Sequence, residues 1–236
     1  MKERSKIDLK LWKRNKIYNI FSQYDDPYTG LISKIDVTNI ITFLNDNDYS
    51  FYGTMVYLCL CVFNEIEEFK IGYGKNEMME IEIYKYDSIA ATMTVLDKNK
   101  NLIFTRYVEF CDNYYNFIEK FEIAKQSALN GEDYYKIPGL NNMNKVNVTC
   151  IPWVDFINFK DAVDLKEKTS RPKLCWGKYN YENGKYYVNV SLLVNHAFQD
   201  GYHMGLFFLK LQDKINNLFM IVGKENKICF IKRLKK

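Results

Sequence analysis

The chain has 236 residues, 47% of them hydrophobic, enough for a full-sized core and compatible with a single domain spanning 1–236. Its 33 basic and 29 acidic residues leave a net charge of only +4, too small and too mixed to imply nucleic-acid binding. The start Met1-Lys2-Glu3-Arg4-Ser5-Lys6 has no signal-peptide apolar core behind it, and the longest apolar stretch, Met55 to Phe63, is far short of a membrane span. A cytoplasmic protein with no membrane contact is expected. Cys59, Cys61, Cys111, Cys150, Cys175 and Cys229 are scattered without zinc-knuckle or redox-dithiol spacing, which points to reduced thiols.

In chain order, apolar residues at Leu9, Trp12, Ile17, Ile20 and Phe21 roughly follow helical spacing, and Asp25-Asp26-Pro27 ends that segment. Leu31 to Val37 alternates as a strand does, and Thr38 is placed to cap a short helix through Phe43. A longer helix is predicted from Phe51 to Phe69. Strand-like runs follow at Ile81–Tyr84 and Ala91–Leu96, with the turn Asp97–Asn101 before another run ending at Thr105. Tyr107 to Ala128 reads as a helix, and Asn130–Asp133 and Pro138-Gly139 as loop.

In the second half, Val146–Ile151, the pair Lys178-Tyr179 and the alternating Tyr186–Val194 are predicted strands, and Glu182-Asn183-Gly184 supplies a hairpin turn between the last two. A last helix starts near Asp200 and runs towards Leu218. Residues 218–236 read as a possible hairpin extension, with Met220–Val222 and Lys227–Ile231 as its strands and a basic tail after them. With neither repeat nor low-complexity linker, these elements make one mixed α/β body.

Only two histidines exist, His196 and His203, and both lie in one short segment. His196 follows the strongly alternating strand, so a rigid element holds it at the edge of a cleft, as general-base catalysis requires. The pattern His196-x-x-x-Asp200-Gly201 arises by chance in roughly one chain in fifty of this length. Taken alone it also fits a helix cap at Asp200, a turn at Gly201 and a satisfied core histidine.

The wider neighbourhood adds to it. Gln199-Asp200-Gly201-Tyr202-His203 with Phe207–Gln212, Trp12–Lys16, Leu31–Thr38, Val148–Phe156 and the pair Lys178-Tyr179 together resemble the chloramphenicol acetyltransferase family in order and spacing. The resemblance runs from Trp12 to Gln212. It implies a two-layer sandwich of a mixed sheet with helices, and an O-acetyltransferase that uses acetyl-CoA as co-substrate, with no metal. The partners it implies are a small-molecule alcohol acceptor and two further copies in a homotrimer, with the active site between subunits. Chloramphenicol, hence antibiotic resistance, is the acceptor it suggests first.

Carried over residue by residue, the resemblance makes His196 the catalytic base and Thr149, where the family has serine, the oxyanion donor. Asp200 and Arg14 become a structural pair at the site. Tyr52, Trp153, Lys178 and Tyr179 are the coenzyme-binding positions, and Phe21, Leu96 and Phe159 line the acceptor pocket. The chain departs from the family at Ser50 (a lysine in better-known members), Cys175 (threonine), Asp161 (leucine) and Asn195 (a second histidine). The block Ser22–Gly30 is polar where drug-acetylating members present an apolar wall. Two alternatives stay open: a dihydrolipoyl acyltransferase domain, whose Ala/Pro-rich linkers are missing here, and a family member that has lost catalysis and serves as a binding module.

Overall fold

A computed structural model describes residues 4–130 and 144–223. The chain opens with β1 (Arg4–Lys6), then a turn in which Asp8 accepts from the Lys10, Leu11 and Trp12 amides. That local bonding competes with helix, so the first helix, α1, runs only over Asn15–Phe21 rather than from Leu9. There follow β2 (Tyr28–Asp36), α2 (Thr38–Asn45) and α3 (Phe51–Glu65). Thr38 does not cap α2. Val37 holds the cap position without a side-chain bond, and Thr38 instead donates its amide (3.0 Å) and its hydroxyl (2.6 Å) to Asp36 Oδ1.

Helix α3 is apolar nearly all round and accordingly buried from Gly53 to Leu60. It stops at Glu65, and a 3₁₀ turn over Glu67–Lys70 replaces the expected last turns. β3 (Ile71–Lys75), β4 (Ile81–Tyr86), β5 (Ala90–Asp97) and β6 (Leu102–Val108) come next, then α4 (Tyr114–Leu129). Tyr107 and Val108 belong to a strand, not to α4, because α4 begins where the Asn113 side chain accepts from the Asn116 amide at 3.0 Å.

The second half holds β7 (Lys145–Cys150), β8 (Lys173–Trp176), β9 (Asn180–Glu182), β10 (Lys185–Asn195) and α5 (Gly201–Asn216). Asn183 and Gly184 join β9 to β10 with φ of 50° and 84°, the pair of left-handed residues that a two-residue hairpin requires. Residues 218–223 are helical, so Met220–Val222 is not a strand: Leu218 and Val222, four apart, are both buried in the core. The loops expected at 131–133 and 138–139, Cys229, the second half of the C-terminal hairpin and the basic tail lie outside the described residues.

β2, β10, β8, β7, β5 and β6 lie side by side in one mixed sheet, with β9 paired to β10. The β5–β7 and β7–β8 pairs are parallel and the rest antiparallel. One face carries Met93, Val95, Val148, Leu174, Trp176, Val190 and Leu192 into a core shared with α2, α3, α4 and α5. The chain is therefore a two-layer α/β sandwich. By strand alternation the opposite face carries Thr149, Cys175, Ser191 and their same-side neighbours.

β1, β4 and β3 form a separate small sheet, of which the hydrophobic pattern disclosed only β4. Glycines weaken the signal of β3, and one of them is required there. A Cβ on Gly72 would lie 2.3 Å from the Ser170 hydroxyl oxygen, which accepts from the Tyr73 amide at 2.9 Å.

Candidate active site

The last residue of β10, Asn195, is 3% exposed and spends its amide on the backbone: Nδ2 donates to the Thr169 carbonyl at 3.0 Å and Oδ1 accepts from the Ala197 amide at 3.0 Å. His196 follows, its own amide donating to the Pro27 carbonyl at 2.8 Å. Both neighbours of the histidine are thus fixed. The imidazole lies nearly flat against the Phe21 ring, centroids 3.9 Å apart and planes 25° apart. Nδ1 is buried with no hydrogen-bond partner among the described residues, which leaves Nε2 as the nitrogen open to a substrate.

Beyond it, Ala197 and Phe198 enter a second small core with Tyr73 and Ile83, against which Trp12, Tyr18 and Phe21 pack. Arg14, just ahead of α1, donates from Nη1 to Asp200 Oδ2 at 2.8 Å and from Nη2 to the His196 carbonyl at 3.4 Å. Asp200 also caps α5, its Oδ1 accepting from the Tyr202 amide at 3.1 Å, and His203 Nδ1 lies 2.8 Å from that same oxygen. Burial alone would raise the Asp200 carboxyl. The Arg14 hydrogen bond, the nearby His203 and the guanidinium charge outweigh it and hold the group down at about 2. Gln199, fully buried, donates to the Glu68 carbonyl at 2.7 Å, which ties the same loop to the 3₁₀ turn.

Thr149 lies elsewhere. It sits on β7 directly opposite Cys175 of β8, which in turn faces Ser191 of β10. His196 is five residues past Ser191, so at about 3.3 Å per residue and 4.8 Å per strand the two residues are roughly 19 Å apart. One chain does not bring them together.

Thr149 is instead accompanied by Leu96, which strand alternation puts on the same face of the neighbouring β5, and by Phe159. The segment Phe159–Ala162 crosses that face: the Phe159 carbonyl accepts from the Ser191 hydroxyl at 3.3 Å, and the Ala162 carbonyl accepts from Lys173 Nζ. Asp161 Oδ2 stands 3.6 Å from the same ammonium. Burial pushes the Cys175 thiol up to about 12, aided by Cys150 and by the Asp161 charge, and burial pushes Cys150 up to about 12 as well.

Among the positions expected to hold coenzyme, Trp153 is 60% exposed and Tyr179 39%. The Lys178 amide donates to the Val154 carbonyl at 2.9 Å, so Trp153, Lys178 and Tyr179 gather past the ends of β7 and β8. Tyr179 packs on Phe51 at 5.1 Å, and Phe51 begins α3, which Ser50 caps through the Gly53 amide at 3.3 Å. Tyr52 turns the other way. Its hydroxyl accepts from the Thr94 amide at 3.1 Å and donates to the Val148 carbonyl at 3.4 Å, with its ring edge-on to Trp176 and Phe121. Among the described residues no three His, Cys, Asp or Glu side chains gather as a metal-ligand set, and no helix is long and apolar enough to cross a membrane.

The residues that sequence reasoning did not single out are Gln199, His203 as a partner of Asp200, and Lys173 as a partner of Asp161. His203 had a signal: a side chain three residues after a cap is placed to return a bond, and here Nδ1 also accepts from the Asp200 amide at 3.2 Å. The other contacts join segments with no shared pattern.

Residues 3–212 match the family model described as chloramphenicol acetyltransferase. The chain belongs to the chloramphenicol acetyltransferase family. It is thus an acyltransferase by kinship. Chloramphenicol acetyltransferase 2 of Haemophilus influenzae is 26% identical over 91% of this chain and 98% of its own. The chloramphenicol acetyltransferase of Vibrio anguillarum is 27% identical over 90% and 94%. A solved chloramphenicol acetyltransferase superposes with a TM-score of 0.80 at 20% identity, covering 90% of this chain and all of that one. The dihydrolipoamide acetyltransferase of Azotobacter vinelandii shares the fold, with a TM-score of 0.65 at 11% identity and 88% of each chain covered.

Proposed function

We propose that the protein transfers the acetyl group of acetyl-CoA to a hydroxyl of a small molecule, directly and without an acyl-enzyme, in a homotrimer. Chloramphenicol, the acceptor in the relatives' names, is the first acceptor to assay. The observation that carries this reading is the geometry of His196: an imidazole fixed from both sides along the backbone, stacked on Phe21, with Nε2 left open.

In this reading His196 Nε2 takes the proton of the acceptor hydroxyl, whose oxygen forms a bond to the thioester carbonyl carbon. Imidazole, which can both take and return a proton, is suited to that transfer. The carbonyl electron pair moves onto oxygen, where the Thr149 hydroxyl donates to it. The pair returns, the C–S bond breaks, and the proton held on His196 goes to the departing sulfur, giving the ester and CoA. The thiols beside Thr149, Cys150 and Cys175, stay protonated at neutral pH and make poor nucleophiles, which supports direct transfer. Trp153 and Tyr179 offer faces to adenine, Lys178 a cation to phosphate, and Tyr52 braces the sheet behind them.

The separation of His196 from Thr149 supports a site shared between copies, with His196, Phe21, Arg14 and Asp200 from one chain and Thr149, Leu96 and Phe159 from the next. Sedimentation mass tests the trimer. The activity test is CoA release from acetyl-CoA with chloramphenicol and a panel of other alcohols. Acceptor-dependent release that disappears in His196→Ala is expected; release from no acceptor at all would sink the enzyme reading in favour of a binding module. A second reading, a different acceptor, is favoured by one observation, the charged pair of Asp161 and Lys173 beside Thr149.

A further inference from the structure

We infer that the acceptor of this enzyme is an alcohol carrying a second hydrogen-bond donor, an ammonium or another hydroxyl, which it presents to Asp161. The inference rests on the reading that Thr149 faces the reacting carbonyl. Lys173 and Cys175 alternate with Leu174 and Trp176, which are in the core, so both point to the Thr149 side of the sheet. Thr149 lies directly opposite Cys175, and Lys173 is one same-side position back along β8, about 8 Å from Thr149. The acceptor therefore reaches this ion pair within its own length.

The two partners are unequal. The Lys173 side chain is only 12% exposed and is engaged by the Ala162 carbonyl as well as by Asp161. The Asp161 side chain is 28% exposed, one oxygen accepts from the Ala162 amide at 2.8 Å, and the other is 3.6 Å from the ammonium, beyond hydrogen-bond length. That second oxygen is charged, anchored from behind and short of donors. An acceptor N–H or O–H completes it, whereas an alkyl or aryl group would cover a carboxylate and leave it unpaired. Discrimination of this kind is strong because the mismatch strands a polar group of the site rather than merely losing a contact.

The test compares three acceptors of equal length, 5-aminopentan-1-ol, pentane-1,5-diol and hexan-1-ol, with chloramphenicol as a fourth. The natural protein is expected to turn over the amino alcohol and the diol with kcat/KM at least tenfold above hexan-1-ol. Asp161→Asn should erode the preference for the amino alcohol more than that for the diol. The double variant Asp161→Leu with Lys173→Leu, which replaces both charges by apolar groups and so strands neither, should reverse the order while KM for acetyl-CoA stays put. A preference for hexan-1-ol in the natural protein, an order unchanged in the double variant, or acetylation of chloramphenicol with none of the three alkanols turned over, overturns the inference and leaves the acetyltransferase reading standing. If none of the four is acetylated by protein that binds acetyl-CoA in calorimetry, that reading fails and the inference falls with it.

Discussion

The His196 region and the Thr149 region are built on opposite plans. Around His196, contacts arrive from Arg14, Phe21, Pro27, Glu68 and Thr169, segments spread across most of the chain, and nearly every one ends on backbone or on a buried group. Around Thr149, placement follows from strand alternation, and the covering segment Phe159–Ala162 is held by a few bonds at its own backbone. The difference teaches a division of labour. On the proposed reading His196 is the base, which must not move by even an ångström, and its setting is over-determined accordingly. A wall that recognises the acceptor, as proposed for the Thr149 side, can change side chains without disturbing the sheet beneath, and Asp161 and Cys175 lie there.

The sharpest way to break the comparison is to disable each half separately. His196→Ala should lower kcat by about 10⁴-fold. Thr149→Ala should lower it by about 10²-fold, and Thr149→Ser should restore most of the loss. Co-expressing the two inactive chains should recover part of the activity, because some mixed trimers contain a site with both halves intact. No recovery in verified mixed trimers would refute a shared site.

A third change addresses the over-determined half. Asp200→Asn keeps shape but weakens the Arg14 contact and the cap, and is expected to cost about 2 kcal/mol, or roughly 6 °C in Tm. The Asp200 carboxyl is held low, at about 2, so its contribution is complete above an unfolded-state value of about 4 and fades as pH falls from there towards 2. The Tm gap between natural and variant protein should therefore narrow below pH 4 and stay constant above it. The smallest effect is expected at the exposed coenzyme end, where Trp153→Ala should raise KM for acetyl-CoA about fivefold with kcat nearly unchanged.

The long alternation of Tyr186–Val194 and its Asn-Gly turn made β10 readable in advance, because side-chain period and turn chemistry are local. β8 was not readable: four residues between two strands, three of them buried, are too few to carry a period of their own. At the site, His196 and Thr149 could be named only through family likeness, and their separation could not be named at all, since it depends on which strands lie between them. Asn195 looked like a departure from the family; in the fold it is a buried clamp on Thr169 and Ala197. The Asp161–Lys173 pair arises from a loop folding back on a strand, which no spacing announces.

β10 carries Ser191, which seats the Phe159–Ala162 segment, and ends beside His196, so both halves of the proposed site are measured off one ruler. A single-residue insertion within it would invert the faces of everything downstream, and the two functions would vanish together. An insertion at Asn183-Gly184, outside the ruled length, would spare both. The tolerance of this protein to length changes should thus fall abruptly within two or three residues of that turn, a boundary that an insertion library would draw directly.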